Sequence, residues 1–403
     1  MSSVNPRGIV VTGDVHSHLS RGRELLDGLA AARPRMLVAD SGDFFEGSGY
    51  YRLGGGVVER EILARLYDVV MVGNHGFAHY LADPRLRTKV VCANLVDATG
   101  RPVFQRARHV RIGGVSTVVT GVIGEEAFAT IPAAERAGLR VENPAAVLTA
   151  LAANRPAAGE VRRALVVLSH SGWAADLLLA RHCPFITVIF SGHCHSDRYG
   201  PELVGPVLVV KGAEHAVGYA WAQPGKPRWQ AKSARFQPPA AVRPGLADLH
   251  EAIGELSARL ARRLGPVRVG WAGTVPDRGE LLARIAQLAV AETRADAAVF
   301  NHTVLRPPRL DAYATRGTVL ETAPFATRLV AAQLDEPDAV KLPAHLTPLL
   351  GPILSHGDLH VRPRCRVVTT DYIAETHLGV PYEQVGLLDE YAERVLTGRE
   401  EGP

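Results

Sequence analysis

Short apolar runs alternate with amphipathic segments in the first part of the chain. GIVVTGD from Gly8, RMLVADSGD from Arg35 and DVVMVGNH from Asp68 have the length and composition of buried strands. Between them, RGRELLDGLAAA and VVEREILARLY repeat apolar residues at helical spacing. Strands that alternate with helices in this way predict an α/β sheet.

Later apolar runs have the same design, and each ends in polar residues. These runs are ALVVLSH from Ala164, FITVIFSGH from Phe185 and VLVVKGAE from Val207. The polar residues fall just past the carboxyl ends of the predicted strands, where open α/β sheets bind their ligands. We therefore expect six separate segments to direct polar side chains to one edge of a sheet.

The pattern changes in the second half of the chain. GYAWAQPGKPRWQAKSARFQ predicts antiparallel strands around a turn at Gly225, and the prolines that follow predict a domain end near residue 238. LADLHEAIGELSARLARRLG predicts a linker helix of about five turns. Beyond it we expect helices at RGELLARIAQLAVAETRA and APFATRLVAAQL, and strands at AAVFN and CRVVTTDYIA. The predicted organisation is a domain at 1–238, a linker helix at 239–266 and a smaller α+β domain at 267–403.

Composition agrees with a folded, two-domain protein. The 403 residues are 47% hydrophobic and 21% charged, which argues against disorder or a coiled coil. The net charge of +4 suits an anionic substrate, but no basic stretch interleaved with aromatics supports nucleic-acid binding. No membrane-length apolar run occurs, the start MSSVNPRGIVVTGDVH has no signal-peptide pattern, and the four cysteines form no CxxC pair. We therefore expect a cytoplasmic protein without a membrane anchor.

Ligand-type residues occupy the ends of the apolar runs. They are Asp14 and His16 in GDVH, Asp43 in GDFFEG, Asn74 and His75 in GNH, His170 in LSHSG, and His193 and His195 in GHCH. Carboxylate, amide and imidazole donors around a shared carboxylate can hold two divalent ions about 4 Å apart. The sequence therefore predicts a two-metal site with two Asp, one Asn and four His ligands, and it leaves His75 for proton chemistry.

The ordered series D-x-H, GDxxxG, GNH, HxG and GHxH resembles that of the calcineurin-like metallophosphoesterases. ANL at 93–95 and LSHSG make the 5′-nucleotidase branch the closest match, and DAAVFNHTVLR, APFATRLVAAQL and CRVVTTDYIA resemble segments of its second domain. The resemblance implies an α/β fold of four layers, a β-sandwich flanked by helices, followed by the linker helix and a divergent 5′-nucleotidase-like C-terminal domain.

The resemblance also implies roles for individual residues. One metal ion falls to Asp14, His16 and His195, the other to Asn74, His170 and His193, and Asp43 bridges the two. The ions are Mn, Zn or Fe, and a hydroxide on the metals attacks phosphorus while His75 and Asn74 serve catalysis. Arg306, Asn301 and Phe325 contact the substrate, a nucleotide or nucleotide-like phosphorylated metabolite. The implied reaction is phosphomonoester hydrolysis in nucleotide catabolism.

Several positions depart from the family pattern. Gly76 and Ala78 replace the two acidic residues that follow the catalytic histidine in family members, and His79 is a candidate substitute. His302 and Thr303 replace the two glycines of the family's NGG segment, and ETHLG from Glu375 replaces a GGDG loop. Three functions therefore stay open: a phosphomonoesterase, a phosphodiesterase or pyrophosphohydrolase acting on a nucleotide conjugate, and a catalytically impaired homologue that binds metal or ligand.

Other residues near these motifs have simpler interpretations. His18, His79 and His215 are expected to have solvent or structural roles, and Cys194 is expected to fill space between two ligands. Arg306 is either a phosphate contact or an exposed arginine. Phe325 either stacks on a base or packs in the core of its predicted helix.

Overall fold

The structure is a computed structural model that describes residues 5–153, 164–238, 244–360 and 363–399. The chain divides into two compact units. The first comprises Met1–Glu46 and Gly54–Gly254, and the second comprises Gly47–Leu53 and Glu255–Pro403. The predicted domain end near residue 238 is followed by 239–243, which lie outside the described residues, so part of the predicted linker is not described.

Two sheets form the framework of the first unit. The strands of this unit are β1 (Gly8–Thr12), β2 (Met36–Asp40), β3 (Val69–Val70), β4 (Leu95–Asp97), β5 (Ala107–Ile112), β6 (Val115–Ile123), β7 (Leu139–Val141), β8 (Ala164–His170), β9 (Val188–Ser191), β10 (Glu202–Val204), β11 (Val207–Val210), β12 (Gly218–Gln223) and β13 (Gln230–Arg235). One sheet has the strand order β13-β12-β1-β2-β3 and the other β10-β11-β9-β8-β6-β5. A short antiparallel pair, β4 with β7, lies outside them.

The central strands of these sheets are parallel and buried. β1 pairs with β2, and β8 pairs with both β6 and β9, in parallel register. Every residue of β1, β8 and β9 is buried, which explains why the sequence shows continuous apolar runs instead of alternation. Parallel pairing also brings the carboxyl ends of neighbouring strands to the same edge, as the sequence predicts.

Helices separate the strands. Up to residue 260 they are α1 (Gly22–Ala32), α2 (Gly49–Gly54), α3 (Val57–Leu66), α4 (Phe77–Ala82), α5 (Pro84–Arg87), α6 (Glu125–Thr130), α7 (Pro144–Ala153), α8 (Trp173–His182) and α9 (Ala247–Leu260). Within the described part of the chain, we find no helix with the length and apolar character needed to cross a membrane.

The strands of the second unit are β14 (Arg263–Pro266), β15 (Ala297–Asn301), β16 (Tyr313–Thr315), β17 (Arg328–Asp335), β18 (Ile353–Gly357), β19 (Arg364–Thr370) and β20 (Tyr382–Leu387). Five of them form a mixed sheet with the order β18-β15-β19-β17-β20, and β14 pairs with β16. Its helices are α10 (Arg278–Thr293), α11 (Arg316–Thr322), α12 (Glu336–Leu350), α13 (Asp371–Ile373) and α14 (Leu388–Leu396). The mixture of strands and helices in both units confirms the predicted fold class.

A short segment from early in the chain belongs to the second unit. Arg52 of α2 donates to the carbonyl oxygen of Phe325 and lies 3.2 Å from the carboxylate of Asp389, whose other oxygen lies 3.0 Å from Arg316. Tyr50 Oη lies 3.0 Å from Ser257 Oγ. The side chain of Asp389 is 1% exposed, so the two guanidinium groups neutralise a buried carboxylate.

Two predictions of secondary structure are wrong. The segment APFATRLVAAQL is not a helix, because residues 328–335 form β17, which pairs with β19 on one side and β20 on the other. Its apolar run is buried on both faces, and such a run cannot be distinguished from a buried helix by periodicity. The predicted linker helix ends at Leu260, because residues from Arg263 pair with β16 and Pro266 cannot continue a helix.

Candidate metal centre

The predicted ligands follow the ends of buried strands in the first unit. Asp14 comes two residues after β1, Asp43 three residues after β2, and His193 two residues after β9. His170 is the last residue of β8, and Asn74 follows β3. Asp14 is 1% exposed as a whole residue. The side chains of His16, Asp43 and His170 are 2%, 3% and 0% exposed. The parallel sheets therefore bring these side chains to one edge, where they meet.

The backbone that carries the ligands is unusual. Asp14, His16, Asp43 and His193 have φ values of 52°, 50°, 55° and 76°, in the left-handed region that side chains rarely adopt. Asp and His tolerate this region better than most residues, but each instance costs about 1–3 kcal/mol. Hydrogen bonds compensate, since the amides of Asp14 and His16 donate to the carbonyl oxygens of Gly42 and Asp43.

One glycine permits the close approach of two ligand loops. A Cβ on Gly73 would lie 2.0 Å from Oδ1 of Asp43. No side chain fits there unless the Asp43 carboxylate moves. The glycine that precedes Asn74 is therefore required by packing against a ligand from another loop.

Asp43 lies between two groups of predicted ligands. Its Oδ2 is 3.2 Å from His170 Nε2 and 3.6 Å from His16 Nε2. On one side Asp14, His16 and His195 bring ligand atoms within 4.8 Å of one another, and on the other side Asp43, His170 and His193 do the same. A carboxylate between two such groups has the position that a bridging ligand requires.

Asn74 links two imidazoles of the second group. Its Oδ1 lies 3.1 Å from His170 Nε2 and 3.0 Å from His193 Nδ1. His170 Nδ1 lies 3.0 Å from the carbonyl oxygen of Ser41, which can only accept, so this nitrogen carries a proton. The contact leaves Nε2 of His170 directed at Asp43 and Asn74.

Some buried polar atoms at the centre have no hydrogen-bond partner among the described residues. Oδ2 of Asp14 and both ring nitrogens of His16 are buried and make no hydrogen bond. Buried polar groups are nearly always paired, because an unpaired one costs about 1–3 kcal/mol. The mixed oxygen and nitrogen donors suit Mn, Fe or Zn, and the residues present therefore fit divalent cations.

Burial and mutual interactions shift the pKa values of these groups. Burial raises the pKa of Asp14 to about 6 and lowers that of His16 well below its usual range. Burial opposes ionisation of Asp43, but the imidazoles of His170 and His75 outweigh it and hold the pKa of Asp43 well below normal. Against burial, Asp43 raises the pKa of His170 to about 9. Asp43 is thus anionic and His16 neutral, the forms in which both bind metals, whereas His170 must release a proton.

A second layer of carboxylates supports the histidines. Glu46 Oε2 lies 3.2 Å from Nδ1 of His75, and Glu214 Oε2 lies 3.1 Å from Nδ1 of His195. Metal-binding histidines commonly donate the N–H of their other ring nitrogen to a carboxylate, and the predicted ligand His195 has this arrangement with Glu214. Sequence reasoning missed both residues, although each stands in a segment that it singled out, GDFFEG and VLVVKGAE.

Lys211 fixes the segment that carries His195. Its side chain is 1% exposed, and Nζ donates to the carbonyl oxygens of Cys194 and Ser196 at 2.7 Å each and to the carboxylate of Glu214. Burial alone would raise the pKa of Glu214, but its hydrogen bonds with His195 and Lys211 outweigh burial and lower this pKa. A buried ammonium group therefore anchors the loop behind one predicted ligand.

The histidines that the sequence set aside occupy different surroundings. His79 Nδ1 lies 3.0 Å from the guanidinium of Arg60, and its ring stacks on Phe45 at 4.5 Å between centroids. His215 lies beside the centre, with its ring centroid 5.5 Å from that of His195, and it packs against His18 at 4.1 Å. Only proximity in sequence had indicated His18 and His215.

Cys194 Sγ accepts a hydrogen bond from the backbone amide of Trp173 at 3.2 Å. The four cysteines, all among the described residues, form no disulfide.

The predicted substrate residues lie in the second unit. Asn301 ends β15, is 9% exposed and donates to Thr303 Oγ1 at 2.6 Å. Arg306 places its guanidinium 5.1 Å from the ring centroid of Phe325, which precedes β17 in non-helical chain, so the helix-core interpretation of Phe325 is wrong. Where the family has its GGDG loop, a π-helix spans Ala374–Leu378.

Comparison with known proteins gives mainly structural neighbours. No protein-family model matches the chain. A snake venom 5′-nucleotidase from Crotalus adamanteus is 26% identical over 211 residues, which are 46% of this chain and 33% of that protein. The chain thus spans about a third of the length of the curated relative that it matches.

Solved structures cover nearly the whole chain. A 5′-nucleotidase precursor from Thermus thermophilus has a TM-score of 0.71 at 22% identity, covering 98% of this chain and 96% of that one. A 5′-nucleotidase from Candida albicans has a TM-score of 0.70 at 14% identity, covering 99% and 98%. A sulfate thiohydrolase from Thermus thermophilus has a TM-score of 0.68 at 17% identity, covering 96% and 81%. These similarities confirm the resemblance stated from the motifs, and the chain shares the fold of these solved 5′-nucleotidases over nearly its whole length.

Proposed function

We propose that the chain is a metal-dependent phosphoric ester hydrolase that binds two divalent cations in its first unit. One observation carries the proposal: the Asp43 carboxylate lies between two groups of imidazoles, beside buried atoms of Asp14 and His16 that have no hydrogen-bond partner among the described residues. The set of donors fits Mn, Fe or Zn. The similarity to 5′-nucleotidases supports the same chemistry.

The two groups of residues have separate roles in this proposal. Asp14, His16 and His195 would hold one cation, Asn74, His170 and His193 would hold the other, and Asp43 would serve both. Bound there, two divalent cations supply Lewis acidity for the phosphoryl oxygens and lower the pKa of water. The Asn74 carboxamide contributes orientation as well, because its oxygen lies within 3.1 Å of nitrogens on two imidazoles.

His75 transfers a proton in this proposal. Its backbone amide donates to Asp43 Oδ1 at 2.8 Å, which places its ring next to the centre, 5.0 Å from the ring of His16. As the bond between phosphorus and the ester oxygen breaks and the oxygen of water bonds to phosphorus, His75 gives its proton to the leaving oxygen. The water loses a proton to solvent and His75 regains one from solvent, so the sum is one ester and one water converted to an alcohol and phosphate.

We propose a nucleotide or nucleotide-like metabolite as the substrate, in a cytoplasmic setting. The resemblance assigns Arg306, Asn301 and Phe325 to substrate contacts, and the guanidinium of Arg306 beside the Phe325 ring offers a charged and an aromatic group together. Absence of disulfides among the four described cysteines supports a reducing compartment.

The test measures phosphate release with Mn²⁺ or Zn²⁺ present, first from an aryl phosphate and then from a panel of phosphorylated metabolites. We expect hydrolysis that stops on chelation and returns with metal. Asp43→Ala should lose bound metal and turnover together, whereas retained turnover after loss of metal would exclude this mechanism.

The two alternatives give different results in the same experiment. A phosphodiesterase or pyrophosphohydrolase hydrolyses bis-aryl phosphates or nucleotide conjugates faster than monoesters. The replaced loops of the second unit, such as the π-helix at Ala374–Leu378, are the observation that keeps it open. A catalytically impaired homologue hydrolyses neither, and fewer than about one divalent ion per purified chain would favour it.

A further inference from the structure

We propose that Glu46 is the positioning residue for His75, in place of the acidic residues that family members carry after the catalytic histidine. The inference rests on the proposed function, because it concerns the same proton transfer. It assigns to this chain a carboxylate from a different loop, GDFFEG, which also carries the predicted bridging ligand Asp43.

The contact itself has the geometry of a hydrogen bond. Glu46 Oε2 lies 3.2 Å from Nδ1 of His75, and the two side chains are 28% and 23% exposed. A carboxylate accepts hydrogen bonds, so Nδ1 of His75 carries a proton and its N–H donates to Glu46. Nε2 is then left for the substrate. A partly buried carboxylate in this position fixes both the rotation of the ring and its tautomer.

The loop that carries Glu46 is held in place. The amides of His16 and Ser17 donate to the carbonyl oxygens of Asp43 and Phe44 at 2.9 Å each. Phe45 is fully buried, and Glu46 itself has φ 61°. A side chain in the left-handed region persists only where its surroundings impose it, so the direction of Glu46 is set by the packing of its neighbours.

The position directly after His75 cannot supply the carboxylate in this packing. Gly76 has φ +64°, and a Cβ there would lie 2.4 Å from the Cβ of Phe45. Phe45 therefore excludes a side chain at position 76 and at the same time precedes Glu46. The packing of Phe45 is thus incompatible with a side chain directly after His75, and Phe45 is followed on the facing loop by Glu46.

The two remaining candidates point to other partners. Ala78 is exposed in the first turn of α4, and its amide donates to Glu135 at 3.1 Å. His79, the substitute that the sequence indicated, lies within 3.0 Å of Arg60. Glu46, by contrast, has a carboxylate oxygen at hydrogen-bond distance from the His75 ring.

The role has a chemical consequence. When the ester bond breaks, Nε2 of His75 gives its proton to the leaving oxygen. The neutral ring that results keeps its proton on Nδ1, and this N–H stays hydrogen-bonded to Glu46. Glu46 neither binds the substrate nor takes the proton, so it acts only through His75. Its importance should grow with the need of the leaving group for a proton.

The experiment compares three variants on two substrates. Glu46→Met removes the acceptor at similar length, Glu46→Gln keeps one acceptor oxygen, and Glu126→Met changes an exposed acid on α6 as the control. Phenyl phosphate has a poor leaving group and nitrophenyl phosphate a good one. We expect Glu46→Met to lower kcat about 10- to 100-fold on phenyl phosphate and less than about 5-fold on nitrophenyl phosphate.

We expect the loss in Glu46→Gln to lie between those of native protein and Glu46→Met, and Glu126→Met to match native protein. An equal loss on both esters, or no loss on either, overturns the inference. If native protein hydrolyses neither ester with metal present, the proposed function fails instead, and the two failures are thereby distinguished.

A second readout does not require activity. Nitrogen-15 NMR of histidine-labelled, metal-free protein, assigned with a His75→Gln variant, reports which ring nitrogen carries the proton. At a pH where the ring is neutral we expect the Nδ1–H tautomer in native protein and a shift towards Nε2–H in Glu46→Met. An Nε2–H tautomer in native protein overturns the inference.

Discussion

Replacing the buried Lys211 with methionine should destabilise the first unit and weaken metal binding. The substitution removes three hydrogen bonds, to Cys194, Ser196 and the carboxylate of Glu214. Methionine has nearly the same length as lysine, so little cavity is created. The cost arises from the polar groups that lose their partner.

The magnitude follows from burial. The carboxylate of Glu214 is 13% exposed and would lose its ammonium partner, and removing one member of a buried ion pair costs about 3–5 kcal/mol. His195 still donates to the carboxylate at 3.1 Å, so we expect the lower end, about 3 kcal/mol in the free energy of unfolding. Metal affinity should fall about 10- to 100-fold, since His195 loses the support of its loop.

The assay combines urea unfolding of chelator-treated protein with competition titration of the metal. Lys232→Met on β13 is the matched control, because Lys232 is exposed, and it should change the free energy of unfolding by less than about 0.5 kcal/mol. Adding Glu214→Gln to Lys211→Met should recover part of the lost stability, since the second change removes the stranded charge. Equal unfolding midpoints for Lys211→Met and Lys232→Met would refute the reasoning.

Three further predictions concern pH, backbone strain and metal. Burial raises the pKa of Asp176 from 3.8 to about 7, so the folded protein loses stability as pH rises through this interval. In urea unfolding without metal, the free energy of unfolding of Asp176→Asn should rise by roughly 3 kcal/mol relative to that of native protein between pH 5 and pH 8. A difference that does not change with pH would contradict this. Gly76→Ala should destabilise more than Gly55→Ala, because both have positive φ but only position 76 would clash with Phe45; equal midpoints would exclude the clash. Mn²⁺ at about 100 times its Kd should raise the free energy of unfolding by about 2.7 kcal/mol, and a similar rise in Asp43→Ala would argue against this site.

The sequence predicted the first unit better than the second. The ligands of the predicted metal centre stand at the ends of buried parallel strands. The end of an apolar run in the sequence therefore also marks the edge of the sheet at which its side chain lies. The run from Arg328 to Asp335 had no such guide. Its apolar residues fit a helix or a central strand, and pairing with β19 and β20, from later in the chain, decides between them.

The supporting carboxylates were missed for a related reason. Glu46 and Glu214 are separated from their histidines by 29 and 19 residues, and the loop conformations that bring them together have no periodic signature. Absence of acids after His75 was visible in the sequence. Replacement from another loop was not, because it depends on Phe45 filling the space beside Gly76.

The helix that begins at Gly49 makes the second unit discontinuous in sequence. A fragment that starts at Glu255 would lack Arg52, and the carbonyl oxygen of Phe325 and one side of the Asp389 carboxylate would lose their donor. No single cut therefore releases this unit intact. A gene fusion that moves the C-terminal half alone should yield a less stable protein than one that also supplies residues 47–53. We therefore expect recombination to transfer the second unit in stable form only together with this N-terminal segment.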